Sequence, residues 1–200
     1  MESNKYLEDL SEIKELMNSS SRFISLSGLS GIMAGIYAIL GAAIAFFYLL
    51  PHDGYLIINS WRFDMLIVVL FSILGLSVLT AYVLTRRKAK KNNEKFWNAT
   101  TKRLLINFLV PLVTGGIYIL IKLQSQQYGL TASLMLIFYG LALVNASKYT
   151  LGTIKYLGYG QIIIGLVCAA YPGYGLWFWI IGFGVFHIIY GAIMYRQEKN

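Results

Sequence analysis

Six apolar runs separated by short polar stretches set the pattern of this chain: 23–50, 65–84, 104–123, 130–144, 154–171 and 176–195. An α-helix needs about 20 residues to cross the roughly 30 Å hydrocarbon core of a bilayer, so each run is predicted as a transmembrane helix. Lipid offers no partner to a free backbone amide, which excludes irregular spanning structure. The expected fold is therefore an all-α membrane protein, a compact six-helix transmembrane bundle over 21–200. Ahead of it, 1–20 is polar, with Tyr6, Leu10, Ile13 and Met17 at the spacing of one helical stripe. This predicts a short amphipathic helix on the cytoplasmic side. Its polar residues are mostly acidic (Glu2, Glu8, Asp9, Glu12 and Glu15 against Lys5 and Lys14), whereas helices that lie on lipid favour a basic face. It is expected to dock on protein: the basic loop, a second copy, or a soluble partner.

Within the first run, Ser27, Gly31, Ala34, Gly35, Ala38, Ala42 and Ala45 recur every three or four residues. Small side chains in a strip let a second helix approach backbone to backbone, so Gly31, Gly35, Ala38 and Ala42 are predicted packing positions and this helix a central one. Although Ala43-Ile44-Ala45 has the look of a signal-peptide cleavage site, the preceding region is acidic and the run is long enough to span, so cleavage is not expected. Pro51 and the polar stretch from His52 to Asp64 close the span, with Tyr55 and Trp61 as interfacial anchors. Pro111 in the third run lacks an amide hydrogen and frees the carbonyl of Asn107, which predicts a local kink or opening.

Charge changes the picture by fixing an orientation. The chain is 57% hydrophobic and only 13% charged, with a mean hydropathy of +0.60, and carries a formal net charge of +8. Eight Lys and Arg residues crowd the predicted loop from Thr85 to Arg103, among them Arg86, Arg87, Lys88, Lys90 and Lys91, against the single acid Glu94. A nucleic-acid binder spreads its bases over a folded polar face, so no nucleic-acid partner is expected; the loop is read as an orientation signal and a surface for anionic headgroups or a protein. With six spans, fifteen of the 17 Lys and Arg residues fall on one side, leaving Arg62 and Lys122 opposite. That places both termini in the cytoplasm of a bacterium, in a multi-pass inner-membrane protein. The sequons at Asn98 and Asn145 then lie on the cytoplasmic side.

Candidate chemistry is sparse. Cys168 is the only cysteine and lies in an apolar run, which excludes a disulfide framework. No metal site and no cofactor are predicted; His52, Asp53 and Asp64 share a polar segment and read as solvated. The distinctive feature is a pattern that occurs twice: Gly158-x-x-Gln161-Ile-Ile-x-Gly165 and Gly184-x-x-His187-Ile-Ile-x-Gly191. Each polar residue sits between glycines on one helical face. The fifth and sixth runs are thus expected to form a hairpin in which Gln161 and His187 meet near mid-membrane, with the imidazole neutral because a charge there would cost roughly 2.5 kcal/mol or more.

The segments SSRFISLSGLSGIMAGIYAILGA (Ser20 to Ala42), YGLALVNASKYT (Tyr139 to Thr150) and GYGLWFWIIGFGVFHIIYG (Gly173 to Gly191) resemble a family of small, uncharacterised six-span inner-membrane proteins of Gram-negative bacteria. The glycine-rich hairpins are also similar to those of the HdeD-like acid-resistance membrane proteins, six-span chains of similar size. These resemblances imply no activity. The expected role is a non-enzymatic accessory subunit or stress-response component that binds membrane lipids and a protein partner or a second copy; the alternative is a small-molecule or ion transporter or channel with a midplane site near Gln161 and His187. For that alternative, the third and sixth runs, both interrupted by glycine, would occupy equivalent places in two inverted halves.

Overall fold

The computed structural model describes residues 27–50, 60–92, 96–150 and 154–198, and no strand occurs among them. The amphipathic helix expected over 1–20, and His52, Asp53 and Tyr55, lie outside the described residues. Among the described residues there are six helices: α1 (Gly28–Leu49), α2 (Trp61–Lys91), α3 (Ala99–Gln124), α4 (Thr131–Tyr149), α5 (Ile154–Ala170) and α6 (Pro172–Gln197). All but α5 are long and apolar enough to cross a membrane. At 17 residues, α5 reaches about 25 Å, near the lower limit for a span.

The helix ends follow local chemistry. Ser60 caps α2, its hydroxyl accepting from the Phe63 amide at 3.3 Å, and Asn98 caps α3 through the Thr101 amide at 2.8 Å. Each cap meets an amide that the first helical turn leaves without a partner. Leu50 is extended, as the residue before Pro51 must be, and α1 stops there. The end of α3 is a Schellman motif: the Gln127 amide donates to the Lys122 carbonyl at 2.9 Å and the Gln126 amide to Leu123 at 3.0 Å. Gln126, where glycine is usual, sits at φ 57°.

The basic stretch is helical over most of its length, in the end of α2 and the start of α3. Hydropathy predicts a loop from Thr85 to Arg103, but α2 continues through Arg86, Arg87, Lys88, Lys90 and Lys91 to a C-cap at Asn92. Lysine, arginine and alanine are good helix formers, and cations in a last turn complement the helix dipole, so nothing ends the helix where its apolar face ends. The first turn of α6, Pro172–Tyr174, is 3-10 and passes directly into α-helix at Gly175. Pro111 does not open α3, which remains α-helical throughout.

Packing proceeds in series. α2 lies mainly on α1, α1 on α6, and α6 on the close pair α4 and α5, while α3 flanks α4 on the far edge. The outer helices α2 and α3 are almost entirely uncovered along their apolar windows, with Phe71, Leu79, Ile106 and Leu120 each 60% or more exposed. In water such surfaces would be a liability; in lipid they are the expected contact with acyl chains. The core lies where α1, α4, α5 and α6 approach, around Ala38, Ala42, Leu136, Ala142 and Cys168.

Candidate functional site

The centre of the molecule is built on an irregularity in α6. Residues Ile180–Phe186 form a π-helical segment, with glycines at 182 and 184. Glycine favours regular helix least of the ordinary residues, and the wider turn disturbs the ladder of amides that normally cover the carbonyls. Here the Gly182 carbonyl accepts a bond from Nε2 of Gln161 on α5 at 2.8 Å. It accepts a second from Nδ1 of His187, five residues on, at 3.0 Å. A carbonyl has no proton to give, so Nδ1 must carry one, and in a neutral imidazole Nε2 is then the acceptor. The Tyr139 hydroxyl of α4 lies 2.8 Å from Nε2 and donates to it. Helix α5 thereby bonds this main-chain oxygen directly, and α4 is joined to it through the imidazole.

Rings enclose this cluster. The imidazole stacks on Tyr139 (5.4 Å between centroids, 29°) and on Phe183 (6.0 Å, 16°). Phe108 of α3 meets Tyr139 edge-on at 6.1 Å. Gln161 is wholly buried and His187 nearly so, at 7% exposure. The amide oxygen of Gln161 has no hydrogen-bond partner. It lies over the α-carbon of Gly182, where a Cβ would come within 2.6 Å of it and would also strike Leu136. That geometry suits a weak Cα–H···O contact, and turning the amide over would set its oxygen against the Gly182 carbonyl. Gln161 therefore grips Gly182 from both ends of its amide.

The sequence pattern singles out Gln161 and His187, but no hydrogen bond joins them directly: they share the Gly182 carbonyl. The two glycine grooves also differ from expectation. Gly158 and Gly165 receive α4, with Gly140, Val144 and Ile137 against them. Gly184 and Gly191 receive α1, against Ile39 and Ile32. The grooves open on different neighbours, because a helical repeat fixes which residues share a face and not which helix covers it. On α1, Gly31 approaches the Gly191 backbone and Gly35 the Gly184 carbonyl, while Ala38 and Ala42 are both 2% exposed. The running order of these contacts makes α1 and α6 antiparallel.

A second released carbonyl is met in the same way. The Asn107 oxygen, left without its amide by Pro111, accepts from Nδ2 of Asn145 on α4 at 2.8 Å. Both interhelical amide bonds thus go from a side chain to a main-chain oxygen that an irregularity exposes, which is how buried backbone is satisfied in lipid. Sequence reasoning identified the Asn107 oxygen but not its partner, and missed Gly182 and Tyr139. A tyrosine in mid-span, away from both interfacial belts, was the available signal, since its hydroxyl needs a partner there.

At the end of the bundle where α2 and α6 finish and α1 begins, Glu198 ties three helices together. Its Oε1 accepts from the Gly28 amide at 2.7 Å and pairs with Lys88 at 3.0 Å. Lys88 therefore turns inward, apart from the exposed Arg86, Arg87, Lys90 and Lys91. Arg86 lies against Tyr82, its guanidinium 3.3 Å from the hydroxyl. At the α5–α6 turn, Tyr171, Tyr174, Trp177 and Phe178 line an open aromatic concavity, the composition of an interfacial belt.

Among the described residues no group of three His, Cys, Asp or Glu side chains is placed to hold a metal. In the central cluster the donors and acceptors bond one another: the Tyr139 hydroxyl meets the imidazole, and the imidazole and the Gln161 amide meet the Gly182 carbonyl. No known protein family, curated protein or solved structure matches the chain.

Proposed function

We propose that this chain is a non-enzymatic integral protein of the bacterial inner membrane, with its basic end and both termini in the cytoplasm, that serves as an accessory subunit or stress-response component by holding a protein partner. We infer also that it belongs with the small six-span inner-membrane proteins it resembles. The observation that carries this reading is the division of polar groups: those in the bundle interior, the Gln161 oxygen apart, close on one another and on main-chain oxygens, whereas the exposed cations Arg87, Lys90 and Lys91 gather at one end. A surface of that kind attracts an acidic protein face or anionic headgroups. The test is photo-crosslinking in living cells from a reactive residue placed at Asn92. A discrete protein adduct that disappears when Arg87, Lys90 and Lys91 are replaced by alanine is expected; adducts to lipid alone would refute the partner.

One observation favours a second reading as a transporter: the Gln161 oxygen lacks a partner beside a π-helical break, the kind of irregularity that transporters place at midplane sites. Against it, the irregular helices are α1 (Ala45–Leu49) and α6, while α3 is regular, so the third and sixth helices are not equivalent. Reaction of a His187→Cys variant with a membrane-impermeant thiol reagent would support a water-filled path; protection would remove this reading.

A further inference from the structure

We propose that the acidic amino-terminal segment of this chain, residues 1–20, docks its carboxylate face on the basic end of α2, at Arg87, Lys90 and Lys91. It would then occupy the surface that the partner must use. That last step rests on the partner-holding reading, but the docking does not.

Charge complementarity is the first argument. Among the described residues stand twelve Lys and Arg but only two carboxylates, Asp64 and Glu198, and Glu198 is already engaged by Lys88 and Gly28. Five of the nine acids in the chain lie within residues 1–20. In a helix, Glu8, Glu12 and Glu15 fall on one face, opposite Tyr6, Leu10, Ile13 and Met17. On α2, Arg87, Lys90 and Lys91 likewise share a face, outward of the buried Thr85 and Ala89. Two faces of opposite charge with matching helical spacing are thus available.

Tether geometry is the second. The segment leads into α1 at Gly28, whose amide lies on the same Glu198 oxygen as the Lys88 ammonium, at 2.7 and 3.0 Å. Lys91 is three residues beyond Lys88, about 4.5 Å along the axis. The eight residues from Ser20 to Gly28 span up to about 28 Å when extended. The acidic face is therefore tethered within reach of the basic one, and a connection this short gives an effective concentration in the millimolar range. Exposed ion pairs are individually weak and screened by salt, so the contact is a reversible latch that a more acidic partner can displace. Because root and target lie at one end of the molecule, the contact does not depend on which way the chain crosses the membrane.

Disulfide trapping in the full-length chain, reconstituted in phosphatidylcholine vesicles, tests this. Ser11→Cys paired with Asn92→Cys should crosslink at least about tenfold faster than Ser11→Cys paired with Ser125→Cys at the other end of α3. The native Cys168, 1% exposed, stays out of reach. Changing Glu8, Glu12 and Glu15 to lysine should slow trapping by about tenfold, as should 1 M salt, where the screening length falls to about 3 Å. Adding Arg87→Glu, Lys90→Glu and Lys91→Glu should restore the rate, a rescue that misfolded protein would not give. Trapping indifferent to charge reversal, or reversal without rescue, would overturn the proposal. So would trapping that is lost when phosphatidylglycerol replaces phosphatidylcholine, since anionic lipid would then be the occupant. None of these failures bears on the orientation of the chain or on the crosslinked partner sought at Asn92.

Discussion

At the scale of single residues, Gly182 carries more of the structure than either polar residue of the repeated pattern. A methyl group there would meet Leu136 and the Gln161 oxygen at once, and overpacking of this kind costs about 1–3 kcal/mol. Gly182→Ala is expected to destabilise by that amount, while Gly116→Ala, with nothing within 4 Å, should not; reversible unfolding in mixed micelles measures both. The Tyr139–His187 bond is expected to be modest. Interhelical side-chain bonds in membranes average about 0.6 kcal/mol in double-mutant cycles, so the cycle of Tyr139→Phe and His187→Phe should return a coupling near that figure. A coupling indistinguishable from zero would show that the rings pack without the hydrogen bond. Gln126 offers a gain: it holds a left-handed conformation that glycine adopts freely, and Gln126→Gly should stabilise by up to about 1 kcal/mol. Glycine and tyrosine were in plain view in the sequence, but which glycine lies under a neighbour's amide is decided by the break in α6, and no periodicity announces a π segment.

Among the elements, hydropathy finds the spans because lipid demands long apolar helices, and it loses the helix ends because polar residues form helix as readily as loop. Hence α2 runs on through Lys91, past the point where its apolar residues cease. The rule that proline frees a carbonyl four residues back correctly marked Asn107, and of the kink or opening inferred from it, the opening does not occur. Asn145 supplies the missing donor instead. This makes the two positions interdependent. Asn145→Leu should destabilise the parent by roughly the 0.6 kcal/mol of such a bond, and should matter less in a Pro111→Ala background, where the residue at 111 supplies its own amide to the Asn107 oxygen. Equal effects in both backgrounds would show that Asn145 acts through some other contact, its Oδ1 bond to Lys148 at 3.2 Å being the candidate.

For the whole molecule, the distribution of charge predicts which end stays inside. The clasp at Glu198 brings the start of α1 and the ends of α2 and α6 to one end of the bundle, and Lys122, in the last turn of α3, stands with the α3–α4 connection. Translocating a segment that carries several Lys and Arg close to the ends of its spans is disfavoured, and acidic residues offset this little. The end bearing Arg86 to Lys91 is therefore expected to stay inside and the Ser125 end to be outside. Single cysteines at Asn92 and Ser125, the C-caps of α2 and α3, read this directly, since each closes its helix beside a polar connection. A membrane-impermeant maleimide added to intact spheroplasts should label Ser125→Cys and leave Asn92→Cys untouched until the membrane is permeabilised. The opposite pattern would invert the chain and place the basic surface, with any partner it holds, outside the cell. Equal labelling of both would mean that α3 does not cross at all, contrary to its 26 apolar-rich residues.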